Sequence, residues 1–437
     1  MRSLCRAAPT LLLLLFLGLV AAPVAIGATR SAAVPRASGS DPAAALQYWT
    51  PERLQQATPL PPVTVAPFTA RRGASESAAR GRPFLVGAAA AHTHRRFRAG
   101  QGRVGGATAS LLLPEGTDTG DPTVFPNRVN GNIFFKSGGN DYSCSGSVVN
   151  TPAKHTVWTA GHCIVDPDTA APSTEMVFIP GYRDGAAPFG IWPATKLEAP
   201  QGYVSSAAAG NSNEALDFGT FQVSANSSGQ QLEGVLGGFG IGFNQTREQT
   251  YTEYGYPGEF PYDGNRLYSI TSPHTGDDTT YFPATLQIAS DFTAGASGGP
   301  YVVGTGPTIL SDDVYGYVGD PEHSYGPYFG DAAKNFYATV AGIFEVTGIK
   351  RNKRKGTATL RIQVPDAGSL SLFGPAVRSE QTSATGAGTV SLAVIPKGAS
   401  KRRLRRQGRL NPKVQISYSP QNGTPNTETK PIRLVRR

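Results

Sequence analysis

The sequence predicts an all-β protein of two folded units, an antiparallel barrel or sandwich followed by a small β-sandwich. Three observations carry this expectation. Short strand-like apolar runs recur along the chain between Gly, Asn, Asp and Pro. Turn formers are abundant, with 52 Gly and 35 Pro among 437 residues, while 39% hydrophobic against 16% charged residues argues against a disordered polymer. Charge divides the chain: residues 350–437 hold 19 basic and 3 acidic side chains, so the overall +9 conceals a mildly acidic body and a strongly basic end. Two units with different tasks are expected.

At the N-terminus, Arg2 and Arg6 precede an apolar run over 11–22, and small residues follow at Ala25, Gly27 and Ala28. This is the three-part pattern of a secretory signal, read as residues 1–28, and the run is short for a spanning helix. A secreted, extracellular protein is expected. Loss of Cys5 with the signal leaves Cys144 and Cys163, an even pair in a compartment that permits disulfides. Residues 29–120 are rich in Ala, Pro, Arg and Gly without sustained periodicity, which reads as a loosely ordered leader, either a removable propeptide or a spacer. Arg71-Arg72 and His94-Arg95-Arg96-Phe97-Arg98 offer cleavage points within it.

Residues 121–347 are read as the first folded unit. Strands are expected at 132–135, 147–149, 156–159, 176–179, 218–223, 286–288 and 301–303. Ala332, Phe336, Val340 and Ile343 recur at helical intervals, so a helix over 330–344 closes the unit. The charge run 350–355 marks the boundary to a second unit, residues 348–437, in which 357–364, 368–373, 388–394 and 413–418 alternate apolar with polar residues as in a β-sandwich.

Three segments carry chemistry, in the order His, Asp, Ser. Thr159-Ala160-Gly161-His162-Cys163 follows Cys144-Ser145-Gly146-Ser147, and a bond between the two cysteines would hold the histidine in a fixed place, stabilising by about 3 kcal/mol on the chain-entropy account. Glu214-Ala215-Leu216-Asp217-Phe218 places an acid where a loop enters an apolar strand, suited to accept a histidine Nδ1 proton and fix its tautomer. Asp291-Phe292-Thr293-Ala294-Gly295-Ala296-Ser297-Gly298-Gly299-Pro300 surrounds a serine with glycines, so that its hydroxyl projects and the amides of Gly295 and Ser297 converge on one oxyanion.

Together these motifs resemble the trypsin-like (chymotrypsin-fold) serine peptidases, in particular their secreted bacterial branch. The resemblance covers about half the chain and implies two six-stranded antiparallel β-barrels with the site in the crevice between them. It implies that His162 is general base and then acid, that Asp217 orients it, that Ser297 is acylated, and that Gly295 and Ser297 supply the oxyanion hole. Tyr315 and Gly316 match a strand that pairs with the substrate backbone, but Val314 stands where the family has a serine that supports the buried aspartate. Ala296 replaces the aspartate that animal members pair with a newly cut N-terminus, so the leader is expected to act by occlusion or as a folding aid. Asp291, six residues before Ser297, matches the acid at the base of the primary specificity pocket, where basic side chains would bind; otherwise it caps a turn.

The sequence therefore points to a serine endopeptidase acting on protein or peptide substrates without a cofactor. The same glycines satisfy the G-x-S-x-G turn of α/β-hydrolases, but a strand-like run follows Ser297 and the order of the three residues is wrong for that fold. An inactive, peptidase-like surface binding protein is the alternative. His155, His274 and His323 lack ligand spacing, and no metal is expected. Lys401-Arg402-Arg403-Leu404-Arg405-Arg406 and Arg409 suit an anionic partner such as a wall polymer, lipid head group or acidic polysaccharide, or else a solubilising module. Nucleic acid would be incidental, and a monomer is expected.

Overall fold

A computed structural model describes residues 31–33, 41–65, 81–91, 115–304, 307–421 and 424–437. The signal segment 1–28 and both basic clusters of the leader lie outside the described residues. No helix among the described residues is long and apolar enough to cross a membrane.

The expected all-β class is borne out. In the first half, Asn130–Ser137 pairs with Asn140–Val148 and with Thr174–Pro180; Thr156–Thr159 and Gly219–Val223 continue the sheet to Trp192–Pro200. Pairing of Trp192 with Phe178 then closes a six-stranded antiparallel barrel. Its strands are buried along most of their length, because both the barrel interior and the covering elements are apolar. In the second half, eight strands of the body run from Tyr315–Tyr317 through His323–Gly326, Thr285–Ala289, Tyr268–Asp278, Thr250–Gly255, Pro300–Val303 and Thr308–Asp312 to Gly240–Phe243. The last pair in that series is parallel, the others antiparallel.

The closing helix is Asp331–Val340. Its Phe336 meets Trp158 and Phe218 with ring centroids 5.7 and 5.5 Å apart, and Phe329 completes the cluster at 5.1 Å from Trp158. Aromatic packing thus ties the helix to the barrel strand that leads into His162.

The leader departs from the expected looseness. Its described parts add edge strands to the body: Ser31–Ala33 lies on Trp192–Pro200, Val63–Val65 on Tyr315–Tyr317 and Phe84–Val86 on Gly240–Phe243. Helix Pro42–Tyr48 and the following Trp49 bury Ala45 and the indole against Phe134 and Tyr182. Local periodicity missed this because each leader element is only a few residues long and gains its order from the sheet edge it covers.

Beyond Phe344 a separate apolar core is enclosed by two sheets, one of three strands and one of four. The basic run 401–406 lies in a helix, Gly398–Gln407, which the sequence reading left out; Leu404 is its buried anchor. Truncating Phe336 to Ala removes the side chain joining helix and barrel, and should cost about 3–5 kcal/mol, seen as a lower urea midpoint for the body with its near-ultraviolet circular dichroism.

Candidate active site

The structure brings His162, Asp217 and Ser297 into the crevice between the two halves, all three buried. His162 lies on a short helical turn, Gly161–Ile164, directly after the barrel strand Thr156–Thr159. The turn is pinned by the bond between Cys144 and Cys163, 19 residues apart. Asp217 follows a single 3-10 turn, Glu214–Leu216, and precedes the strand Gly219–Val223. One of its oxygens accepts the backbone N–H of His162 and the other bonds Nδ1 of the ring, each at 2.8 Å. A ring fixed in this way turns Nε2 towards the crevice, and Nε2 has no hydrogen-bond partner. Ser297 Oγ is also without one, so the bond between serine and histidine is not made in this state.

The serine turn depends on two glycines. Gly295 and Gly298 have φ of 90° and 82°, and a Cβ on Gly298 would lie 2.1 Å from Thr159 Oγ1 and 2.5 Å from the Ser145 carbonyl. Ser145 is the residue that sequence reasoning missed here. Its N–H donates to the Ser297 carbonyl at 2.8 Å, and its Oγ donates to the Gly295 carbonyl at 2.9 Å while accepting from the Tyr256 N–H at 2.8 Å. The barrel strand Asn140–Val148 thereby grips the serine turn on both sides. A serine one residue after the cysteine was visible in the sequence; its partners, about 150 residues away, were not.

Val314 leaves the position of the supporting serine apolar and buried. Glu214 stands on the Asp217 side instead, with Ser212 donating to its Oε1. Burial, reinforced by the Asp217 charge, pushes its carboxyl up to about 9, so the group carries a proton at neutral pH and presents a donor rather than a second charge. Tyr203 is buried nearby and its hydroxyl is raised by burial and then by Asp217. Asp312 and Asp313 lie behind the serine turn. Trp158 Nε1 donates to Asp312 at 3.2 Å and Ser324 donates to Asp313, and burial raises both carboxyls, Asp313 to about 6.

Asp291 is already bonded to protein. Both oxygens accept from the Tyr262 hydroxyl at 2.8 Å, and Oδ1 takes the N–H of Gly116, from the end of the leader, at 3.2 Å. Tyr315 is buried, with its hydroxyl on Thr285 and Asp278, while the backbone of Tyr315 and Gly316 faces leader strand Val63–Val65. Among the described residues, one group of three metal-ligating types is close together, Cys144, His162 and Cys163, but both sulfurs belong to the disulfide.

The resemblance to the chymotrypsin-fold serine peptidases read from the motifs is borne out by the proteins to which the chain is similar. The chain is 28% identical over 180 residues to a glutamyl endopeptidase of Bacillus licheniformis, a match of 41% of this chain and 49% of that protein. It thus spans about half the length of the curated relative it matches. Among solved structures it is similar to the protease Anisep of Arthrobacter nicotinovorans, 34% identical over 53% of this chain and 100% of the other, with a TM-score of 0.47. It is also similar to the thermostable serine protease AL20 of an extremophilic microorganism, 31% identical over 49% of this chain and 97% of the other, with a TM-score of 0.45. No family model matches the chain.

The raised Glu214 carboxyl makes stability depend on pH in a definite sense. Above its ordinary value of 4.5 the unfolded chain releases a proton that the folded chain keeps until about 9, so this group lowers stability progressively across that range. Glu214→Gln should therefore leave the melting temperature nearly unchanged at about pH 5 and raise it relative to the parent at about pH 8, read by scanning calorimetry at both values.

Proposed function

We propose that this chain is a secreted serine endopeptidase, made with a signal over 1–28, a propeptide over 29–120, a peptidase unit over 121–347 and a basic appendage over 348–437. The observation that carries the reading is the buried pair of 2.8 Å contacts from His162 to Asp217, which leaves Nε2 free in the crevice beside the glycine-framed Ser297. A serine hydroxyl is a weak nucleophile until an adjacent base takes its proton, and His162 is that base. Attack on a peptide carbonyl forms the Ser297 ester through a tetrahedral intermediate, whose oxyanion is held by the N–H groups of Gly295 and Ser297. His162 then returns the proton to the leaving amine, and water repeats the sequence to release the acid. Asp217 stabilises the imidazolium formed at each step, and the protonated Glu214 supports Asp217 where Val314 cannot.

The basic appendage supplies the second contact, with an anionic polymer outside the cell. Helix Gly398–Gln407 ends beside a cleft of about 880 Å³ lined by Arg403, Arg409, Arg433, Arg436 and Arg437, with no acidic side chain in the lining. Guanidinium groups converging on one concave surface suit sulfate, phosphate or carboxylate groups along a chain.

Two measurements check these readings. Protein recovered from culture supernatant should be labelled by a fluorophosphonate and cleave a mixed peptide library; Ser297→Ala should abolish labelling and lower turnover at least about 10⁴-fold. Full activity in that variant would sink the assignment, while a correctly folded, leader-free parent that neither labels nor cleaves would favour the inactive binding protein. Replacing Arg409 and Arg436 with Ser should leave peptide cleavage unchanged and lower the salt needed to elute the protein from a sulfated resin; an unchanged elution position would count against the cleft.

A further inference from the structure

The leader does more than cover sheet edges. Residues 58–65 run the length of the crevice, parallel to a body strand at each end: Thr58 and Pro59 pair with Tyr142 and Ser143, and Val63, Thr64 and Val65 with Tyr315, Gly316 and Tyr317. Between these anchors, Leu60 donates its N–H to the Ser143 carbonyl at 2.9 Å and accepts at its own carbonyl the Gly295 N–H at 3.0 Å. Pro59 packs so close that a Cβ on Gly295 would lie 3.1 Å from it. Ser297 and His162, with this segment in place, are only 1% and 2% exposed.

We propose that residues 58–65 are a built-in inhibitor of the crevice, seated by the Leu60 carbonyl on the Gly295 amide. The proposal rests on the peptidase reading above and names the leader's target. The segment blocks the site in two ways. It consumes one of the two backbone donors that an oxyanion would need, and it takes the strand edge of Tyr315–Tyr317 against which an extended peptide would pair. The bond that follows the seated carbonyl is Leu60–Pro61, with Pro62 next. Both prolines lack an N–H and hold φ near –65°, so the segment enters the crevice with little conformational entropy left to lose. Its tether supplies a high effective concentration, and any cut in the leader beyond the segment lowers that concentration sharply.

The test uses the full chain. In a Ser297→Ala background, hydrogen exchange should show the amides of Gly295 and of the strand Tyr315–Tyr317 protected, and Thr64→Pro, which introduces a proline into the leader strand, should remove that protection. The amides of Asn130–Ser137 should stay protected in both proteins, which shows the barrel intact. With Ser297 restored, Thr64→Pro should react with a fluorophosphonate at least about tenfold faster than the parent, the factor expected when fewer than a tenth of the parent molecules have an open crevice. Equal exchange in the two proteins, or a parent that labels as fast as the variant, would overturn the proposal. Protection lost in the variant with no labelling of either chain would overturn the peptidase reading instead, and with it the inhibitory role. Val63→Asp provides a second disruption, and it should act in the same direction on both readouts.

Discussion

Ser145 is the point on which the rest of the structure turns. A nucleophilic serine needs its hydroxyl and two backbone amides held in one arrangement, and a glycine-rich loop has no tendency to keep one by itself. The barrel strand carrying Ser145 supplies the missing rigidity through three hydrogen bonds: one to the carbonyl of Ser297, one to that of Gly295, and one from the N–H of Tyr256. The same strand carries Cys144, whose disulfide anchors the turn of His162. One strand thereby fixes His162 and Ser297 relative to each other, although they belong to different halves of the body.

Such a junction buries several acids, and burial disfavours their charged forms. Glu214, Asp312, Asp313 and Glu253 all lie in the interior around the crevice with carboxyls raised by burial, and neighbouring acids reinforce the shift. Asp217 accepts two N–H groups from a single residue, His162. Its bonds to the backbone N–H and to Nδ1 of His162 hold the histidine ring in one orientation.

The leader and the basic appendage use the body in opposite ways. Leader strands complete edges that would otherwise stand open, and one of them runs through the crevice itself. The appendage has its own core, and Gln222 of the body donates to its Thr424 side chain.

Much of this was legible in the residues. The predicted strands at 132–135, 156–159, 176–179 and 301–303 lie inside observed ones, and the helix placed at 330–344 is Asp331–Val340. Strands such as Trp192–Pro200 and Tyr268–Asp278 escaped because prolines and polar residues interrupt their alternation, and only neighbouring strands decide for them. By itself the sequence determined the β class, the order of His162, Asp217 and Ser297, and the cysteine pair, since each rests on local spacing. Tertiary structure alone decided that Ser145 grips the turn of Ser297, that Glu214 stands beside Asp217, that Tyr262 and Gly116 hold Asp291, and that Leu60 rests on Gly295. Each of these is a contact between residues whose separation in space is set by packing, and no periodicity along the chain encodes it.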